Sequence, residues 1–178
     1  MSDTHYTRTA VSLHWLIAAL IICAFTFGWT MTDMDISPLK LKMFNWHKWV
    51  GITILALAMV RIVWRITHQA PAMVAMPRWQ RAAAHALHGV LYLLLLCMPL
   101  SGWIYSNAAG YPIVYLSLWR LPNLVAKNKE LAATWQQLHG MLGFMLLLCV
   151  IAHVLAALVH HFWHRDDTLR RMLRWRAN

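Results

Sequence analysis

Four long apolar stretches, separated by polar segments, dominate the pattern of the chain. They cover residues 8–31, 43–66, 81–107 and 135–164. Each is long enough for a helix to cross a hydrocarbon core of about 30 Å. Backbone groups inside a bilayer must be hydrogen-bonded within the protein, and a helix achieves this within one segment. The pattern therefore predicts an all-α fold, an integral membrane four-helix bundle, as a single transmembrane domain over residues 1–178.

The segments between these stretches are polar or carry helix-breaking residues. Pro38 is expected to break any helix in the first connection, and Pro99 predicts a kink late in the third helix. The longest connection includes an apolar piece, residues 113–121, which is too short to span a membrane and is expected to lie along the interface. Residues 165–178 form a basic tail.

Composition agrees with a membrane protein and gives it an orientation. Hydrophobic residues make up 60% of the chain and charged residues 12%, against about 25% charged in a typical soluble domain. The net charge of +10 reflects Lys and Arg beside the spans, which argues for the positive-inside rule and against nucleic acid. Ten of these sixteen cations lie on the side of the two termini and six on the other side, so both termini are expected in the cytoplasm.

Four histidines fall at matched depths in the predicted spans. His139 and His153 lie fourteen residues apart on the fourth span, within about 40° of one face and about 21 Å apart along the axis. Because the helices alternate in direction, His14 pairs with His153 near the cytoplasmic surface, and His47 pairs with His139 near the outer surface. Each pair comes from two helices, as axial ligands on opposite faces of one macrocycle require. The pattern predicts two b haems, stacked across the bilayer, each with bis-histidine ligation.

Other readings of the same residues remain open. A non-haem metal site needs three or four ligands in one place, often with carboxylates or thiolates. A transporter usually carries carboxylates inside its spans. The predicted spans hold no acidic residue, and the three cysteines form no CxxCH motif for covalent haem. Gly51, Gly140 and Gly143 either let a porphyrin approach the helices or permit close helix packing.

Four further histidines lie towards the cytoplasmic side. His85 and His88 stand three residues apart near the start of the third span, and His160 and His161 continue the fourth span below His153. They are candidates for a quinone pocket, for proton transfer, or, in the case of His85 and His88, for a haem propionate. The alternative is that they are polar residues of the membrane interface.

At these residues the chain resembles the prokaryotic cytochrome b561 family. The similar elements extend over almost the whole sequence and end in an acidic–basic motif after a paired histidine. They are Leu13-His14-Trp15-Leu16, His47 with Gly51-Ile52, Val60-Arg61, Ala84-His85 with His88 and Tyr92, Trp135, His139, Leu142-Gly143, His153 with Ala156-Ala157, His160-His161-Phe162, and Asp166-Asp167-Thr168-Leu169-Arg170-Arg171-Met172.

The resemblance implies a di-haem b protein of the bacterial inner membrane that passes electrons between a periplasmic-side donor and membrane ubiquinone. It implies His14 and His153 as ligands of the cytoplasmic-side haem, and His47 and His139 as ligands of the periplasmic-side haem. A likeness to superoxide:ubiquinone oxidoreductases suggests superoxide as the donor, with a periplasmic redox protein as the other possibility. An alternative function is that of a cytochrome b subunit anchoring a larger dehydrogenase or hydrogenase, although a fifth span is lacking.

Overall fold

The computed structural model of the protein describes residues 6–68, 71–72 and 74–173, and it is a bundle of four long helices. Each is long and apolar enough to cross a membrane, which confirms the predicted all-α membrane bundle. Residues 1–5 of the predicted domain and residues 174–178 of the predicted tail lie outside the described residues. The elements are α1 (Arg8–Asp33), α2 (Pro38–Thr67), α3 (Arg78–Ala108), β1 (Val114–Tyr115), β2 (Trp119–Arg120), α4 (Lys129–Val159), a π-helical turn (His160–His164) and α5 (Arg170–Leu173).

Three of the helices begin earlier than the apolar pattern indicates: α2 at Pro38, α3 at Arg78 and α4 at Lys129. The Ser37 side chain caps α2 by accepting a hydrogen bond from the Lys40 backbone N–H at 3.2 Å. Pro38 is the first residue of that helix, where its missing N–H needs no partner and its fixed φ suits the helix. The expectation that Pro38 breaks any helix was therefore wrong. Asn128 caps α4 in the same way, accepting from the Leu131 N–H at 3.0 Å.

Each long helix packs against the next one in the chain, and α4 makes few backbone contacts with α1 and α2. Helix α1 packs against α2, α2 against α3, and α3 against α4, whereas the described parts of α4 have few close backbone approaches to α1 or α2. A buried apolar cluster joins α1, α2 and α3, formed by Ile17, Ile54, Ala58 and Leu95. Since lipid tails are as apolar as these side chains, close packing rather than water exclusion stabilises such a cluster. The backbone of α4 therefore lies further from those of α1 and α2 than from that of α3, and we call the space between them the cleft.

A short β-hairpin closes one end of the bundle, which we call the hairpin end. Strands β1 and β2 pair antiparallel, and Leu116 and Ser117 in the turn between them both have positive φ, at 51° and 61°. Positive φ at both central residues is the conformation of a type I′ hairpin turn. The indole N–H of Trp49 donates to the Val114 carbonyl at 2.7 Å, so the hairpin is attached to α2.

The opposite end of the bundle, which we call the N-terminal end, holds the start of α1 and the last turns of α4. Helix α4 continues as the π-helical turn and stops at Arg165, which has a left-handed conformation with φ 53°. The chain then turns back along the bundle. The indole N–H of Trp15 donates to the Met172 carbonyl at 2.7 Å, which fixes α5 against α1.

Candidate functional site

Two pairs of imidazoles face each other across the cleft. At the hairpin end the ring centres of His47 on α2 and His139 on α4 lie 6.1 Å apart, with an interplanar angle of 84°. At the N-terminal end the ring centres of His14 on α1 and His153 on α4 lie 6.1 Å apart, with an angle of 71°. The structure thus brings together the four histidines in the two pairs that the sequence analysis formed by depth.

The ring of His47 is oriented by the backbone of α1. Its Nδ1 lies 2.9 Å from the Ala24 carbonyl oxygen. A carbonyl can only accept, so Nδ1 carries the proton and Nε2 keeps a lone pair. Gly28, one turn further along α1, places no side chain beside the ring, and a Cβ there would lie 3.5 Å from His47 Cε1. The neutral ring therefore has its second nitrogen free to bind a metal.

The ring of His139 is oriented by α3. Its Nδ1 lies 2.9 Å from Ser101 Oγ, and that hydroxyl donates to the Met98 carbonyl at 2.7 Å. Gly102 packs so closely that a Cβ at this position would lie 2.8 Å from His139 Cε1. Sequence reasoning missed Ser101 and Gly102, because neither residue type signals a contact with a histidine 37 or 38 positions away.

The pair at the N-terminal end has different neighbours. His14 has the Trp15 ring edge-on at 5.3 Å, and His153 has the His88 ring edge-on at 5.2 Å between ring centres. Arg61 interacts electrostatically with both paired rings and donates from Nη1 to the Ala10 carbonyl at 2.8 Å. Within the part of the chain that the structure describes, neither His14 nor His153 makes a side-chain hydrogen bond.

Gly51, Gly140 and Gly143 were expected either to leave room for a porphyrin or to permit close helix packing, and they differ in their surroundings. A Cβ at Gly51 or Gly140 would meet nothing within 4 Å; Gly51 is partly buried one turn after His47, whereas Gly140 is exposed. A Cβ at Gly143 would lie 3.2 Å from Met98 Cε, so this glycine permits α3 and α4 to pack. On α2, one turn after His47, the backbone at Gly51 therefore carries no side chain that would obstruct a flat macrocycle.

A second group of polar residues lies beyond the N-terminal-end pair. His160 Nδ1 lies 2.5 Å from Asp166 Oδ2, and its ring packs on that of His164 with centres 5.1 Å apart. Burial raises the pKa of Asp166, but hydrogen bonds with Thr168 and His160 lower that pKa by more, so it lies below its ordinary value. His160, His164 and Asp166 border a cavity of about 360 Å³, which is completed by Ala75, Met76, Pro77 and Gln80.

The remaining candidate histidines are placed separately. His85 is exposed on α3, one turn before His88. His88 Nδ1 lies 2.6 Å from the Ala84 carbonyl, so its Nε2 also keeps a lone pair. His161 has a buried Nδ1 without a hydrogen-bond partner among the described residues, and its ring packs against Phe162. The structure places His88 in contact with His153 and His160 in contact with Asp166. Within the described ranges, it shows no hydrogen bond or ring contact of His85 or His161 with either of these two pairs.

The four long apolar helices define a class of protein: a multi-pass helical membrane protein. More particularly, the chain belongs to the prokaryotic cytochrome b561 family, whose model matches residues 5–175. Family membership makes it a haem b-binding electron-transfer protein of the inner membrane.

Curated relatives match nearly the whole chain. It is 32% identical to "Cytochrome b561 homolog 2" of Escherichia coli, with 94% of this chain and 90% of the relative covered. It is 30% identical to "Probable superoxide oxidase CybB" of Yersinia pestis, with 94% and 95% covered. It is 29% identical to "Cytochrome b562" of Cereibacter sphaeroides, with 95% of each chain covered.

Proposed function

We propose that the chain binds two b haems, one between His47 and His139 and one between His14 and His153, and carries electrons between the two membrane surfaces. The main observation behind this proposal is that the ring centres of both pairs lie 6.1 Å apart. A metal–imidazole bond of about 2 Å, with about 1 Å more to the ring centre, separates two trans imidazoles on one iron by about 6 Å. The observed separation supports bis-histidine ligation in both layers.

The residues of this chain hold and insulate the cofactors rather than take part in bond making. Haem iron, when bound, supplies one-electron exchange. The neutral imidazoles of His47 and His139 each direct Nδ1 to an oxygen atom, which leaves Nε2 for the metal. Helix α4 provides one ligand to each layer, fourteen residues and about 21 Å apart along its axis. This spacing supports transfer in two steps across the bilayer.

The donor side is the hairpin end. The excess of Lys and Arg beside the N-terminal end supports a cytoplasmic location for that end, so the hairpin end faces the periplasm. We take superoxide as the donor, because a relative is named a probable superoxide oxidase and because cations surround this end. A basic surface raises the local concentration of a small anion. These cations are Lys40, Lys42, Lys48, Arg120, Lys127 and Lys129.

The acceptor is ubiquinone at the N-terminal end. The cavity of about 360 Å³ beside His160 supports a site for the quinone ring, and the His160–Asp166 pair supports proton delivery to it. Two superoxide anions lose one electron each and become oxygen, and one ubiquinone takes up two electrons and two protons to form ubiquinol. His88, in contact with His153, is the alternative proton donor, whereas His85 and His161 have no described contact with this route.

The test uses the purified full-length protein in detergent. We expect two haems per chain by pyridine haemochrome analysis, reduction of both by superoxide, and reoxidation by a short-chain ubiquinone. Reduction by superoxide should slow as salt concentration rises, because salt screens the attraction of the anion. Two haems that superoxide does not reduce would overturn the donor and leave the ligands in place. A purified chain without haem would overturn the whole proposal.

A further inference from the structure

We propose that Ser101 and Gly102 of α3 are positioning residues for His139. The serine fixes which imidazole nitrogen faces the cleft, and the glycine leaves the space in which the ring lies. This inference rests on the proposed function, since it takes His139 to be a ligand of the hairpin-end haem. Helix α3 contributes none of the four proposed ligands, yet it makes the closest contacts with one of them.

The two hydrogen bonds of Ser101 determine the tautomer of His139. A hydroxyl has one proton, and the Ser101 proton is donated to the Met98 carbonyl at 2.7 Å. With that proton on the Met98 carbonyl, the contact between Ser101 Oγ and His139 Nδ1 at 2.9 Å is donated by the imidazole. Ser101 is only 1% exposed, so solvent does not compete for this contact. Nδ1 therefore carries the proton, and Nε2 presents its lone pair.

Gly102 determines where the ring lies. A Cβ at this position would come within 2.8 Å of His139 Cε1 and 3.1 Å of Nδ1. Contacts below about 3 Å are not tolerated between carbon atoms whose optimal separation is about 3.5–4.0 Å. Any larger residue at position 102 must push the imidazole along the cleft or move α3 away from α4. The ring is thus held between α3 and the opposing His47.

The serine also affects the iron through the imidazole. Partners that accept from the outer nitrogen of a ligating histidine fix its orientation and raise its basicity. A more basic ligand stabilises the oxidised metal, so Ser101 lowers the midpoint potential of the hairpin-end haem. A role limited to packing would leave that potential unchanged.

The experiment is a redox titration of the full-length protein, followed by visible absorbance and by the low-spin ferric EPR signals of the two haems. We expect Ser101→Ala to raise the midpoint potential of one haem and to shift its EPR signal, while the other haem stays unchanged. Ser101→Thr, which keeps the hydroxyl, should restore both properties. The control is Ser106→Ala, which removes a buried hydroxyl of the same helix that bonds to the Tyr111 carbonyl instead.

A second variant tests the space beside the ring. Gly102→Ala should lower the occupancy of one haem or convert it to a high-spin form. The control is Gly89→Ala on the same helix, where an added Cβ meets nothing within 4 Å. The inference is overturned if His139→Ala loses one haem while Ser101→Ala leaves both potentials and both EPR signals unchanged. If His139→Ala instead retains both haems, the proposed ligation fails, and the two failures are thereby distinguished.

Discussion

The two imidazole pairs have the same ring separation but different surroundings. At the hairpin end, His47 and His139 each bond through Nδ1 to an oxygen acceptor. At the N-terminal end, His14 and His153 have aromatic rings and the Arg61 guanidinium as neighbours. One end of the bundle therefore orients its imidazoles by hydrogen bonds, and the other surrounds them with rings and a positive charge.

This difference indicates a direction for electron flow under the proposed ligation. Acceptors at Nδ1 make an imidazole more electron-donating, which lowers the potential of a bound iron. A nearby cation disfavours the additional positive charge of the oxidised iron, which raises the potential. We therefore expect the hairpin-end haem to have the lower potential. Electrons would then pass downhill from the hairpin end towards the N-terminal end.

The largest expected effect comes from removing one imidazole of either pair. His47→Ala and His14→Ala should each reduce the content from two haems per chain to one, because a single imidazole holds a macrocycle poorly. Redox titration of each variant would show which potential remains and so assign the two haems. His68→Ala is the matched control, since this histidine stacks on Trp64 away from both pairs. Two haems retained in both ligand variants would refute the assignment.

The second prediction concerns the cleft beside the hairpin-end pair. Gly51→Leu should remove most of the hairpin-end haem, because the new side chain projects from α2 one turn after His47. Gly51→Ala should have little effect, since its Cβ meets no atom within 4 Å. Haem quantification and circular dichroism would separate lost cofactor from lost helix. Full haem occupancy in the leucine variant would show that this part of the cleft takes no macrocycle.

The third prediction concerns the charge at the N-terminal end. Arg61→Gln should lower the potential of that haem by about 70 mV, the one-electron equivalent of the roughly 1.7 kcal/mol expected for a unit charge about 10 Å away through an effective dielectric constant of about 20. The hairpin-end haem should not change. Arg65→Gln, one turn further along the same helix, is the control. Equal shifts of both haems would show that Arg61 does not distinguish the two sites.

The smallest expected effect concerns the His160–Asp166 pair. Asp166→Asn should slow ubiquinone reduction several-fold at pH 7 without changing haem content, because His160 loses its charged partner. The pKa of Asp166 is lowered by its hydrogen bonds, so the carboxylate stays charged at neutral pH and the contact is lost only as the pH falls through that lowered pKa. The variant and the native protein should therefore converge in acid.

The control for this prediction is Asp167→Asn. Asp167 is exposed, and its contact with Arg170 is long, at 3.5 Å. An ion pair of this kind contributes little. If both substitutions slow the reaction equally, the effect is one of surface charge, and the specific role of Asp166 is wrong.

The sequence predicted the features that depend on hydropathy and helix geometry. Apolar length fixes the number of spans, and a rise of about 1.5 Å per residue fixes the depth of each histidine, so the rings meet in the pairs formed by depth. The early start of α2 was missed, because proline breaks a helix interior but suits its first position. The position of the proline within the helix, rather than the residue type alone, decides its effect.

The features that depend on contacts between helices were not predictable. Ser101 and Gly102 are ordinary membrane-helix residues until α3 lies against His139. Gly143 resembles Gly51 in sequence context, yet Met98 packs on one and nothing on the other. The approach of Asp166 to His160 requires the π-helical turn and the left-handed conformation of Arg165. Neither feature is predicted by a pattern of residues in the sequence.

The position of α4 in the chain has a consequence for biogenesis. Under the proposed ligation this helix supplies one imidazole to each layer, and it is the last of the four long helices to be synthesised. A nascent chain that has inserted α1, α2 and α3 offers each porphyrin a single ligand. Cofactor loading must therefore wait until α4 has entered the membrane, and both haems become tightly held at the same step of assembly.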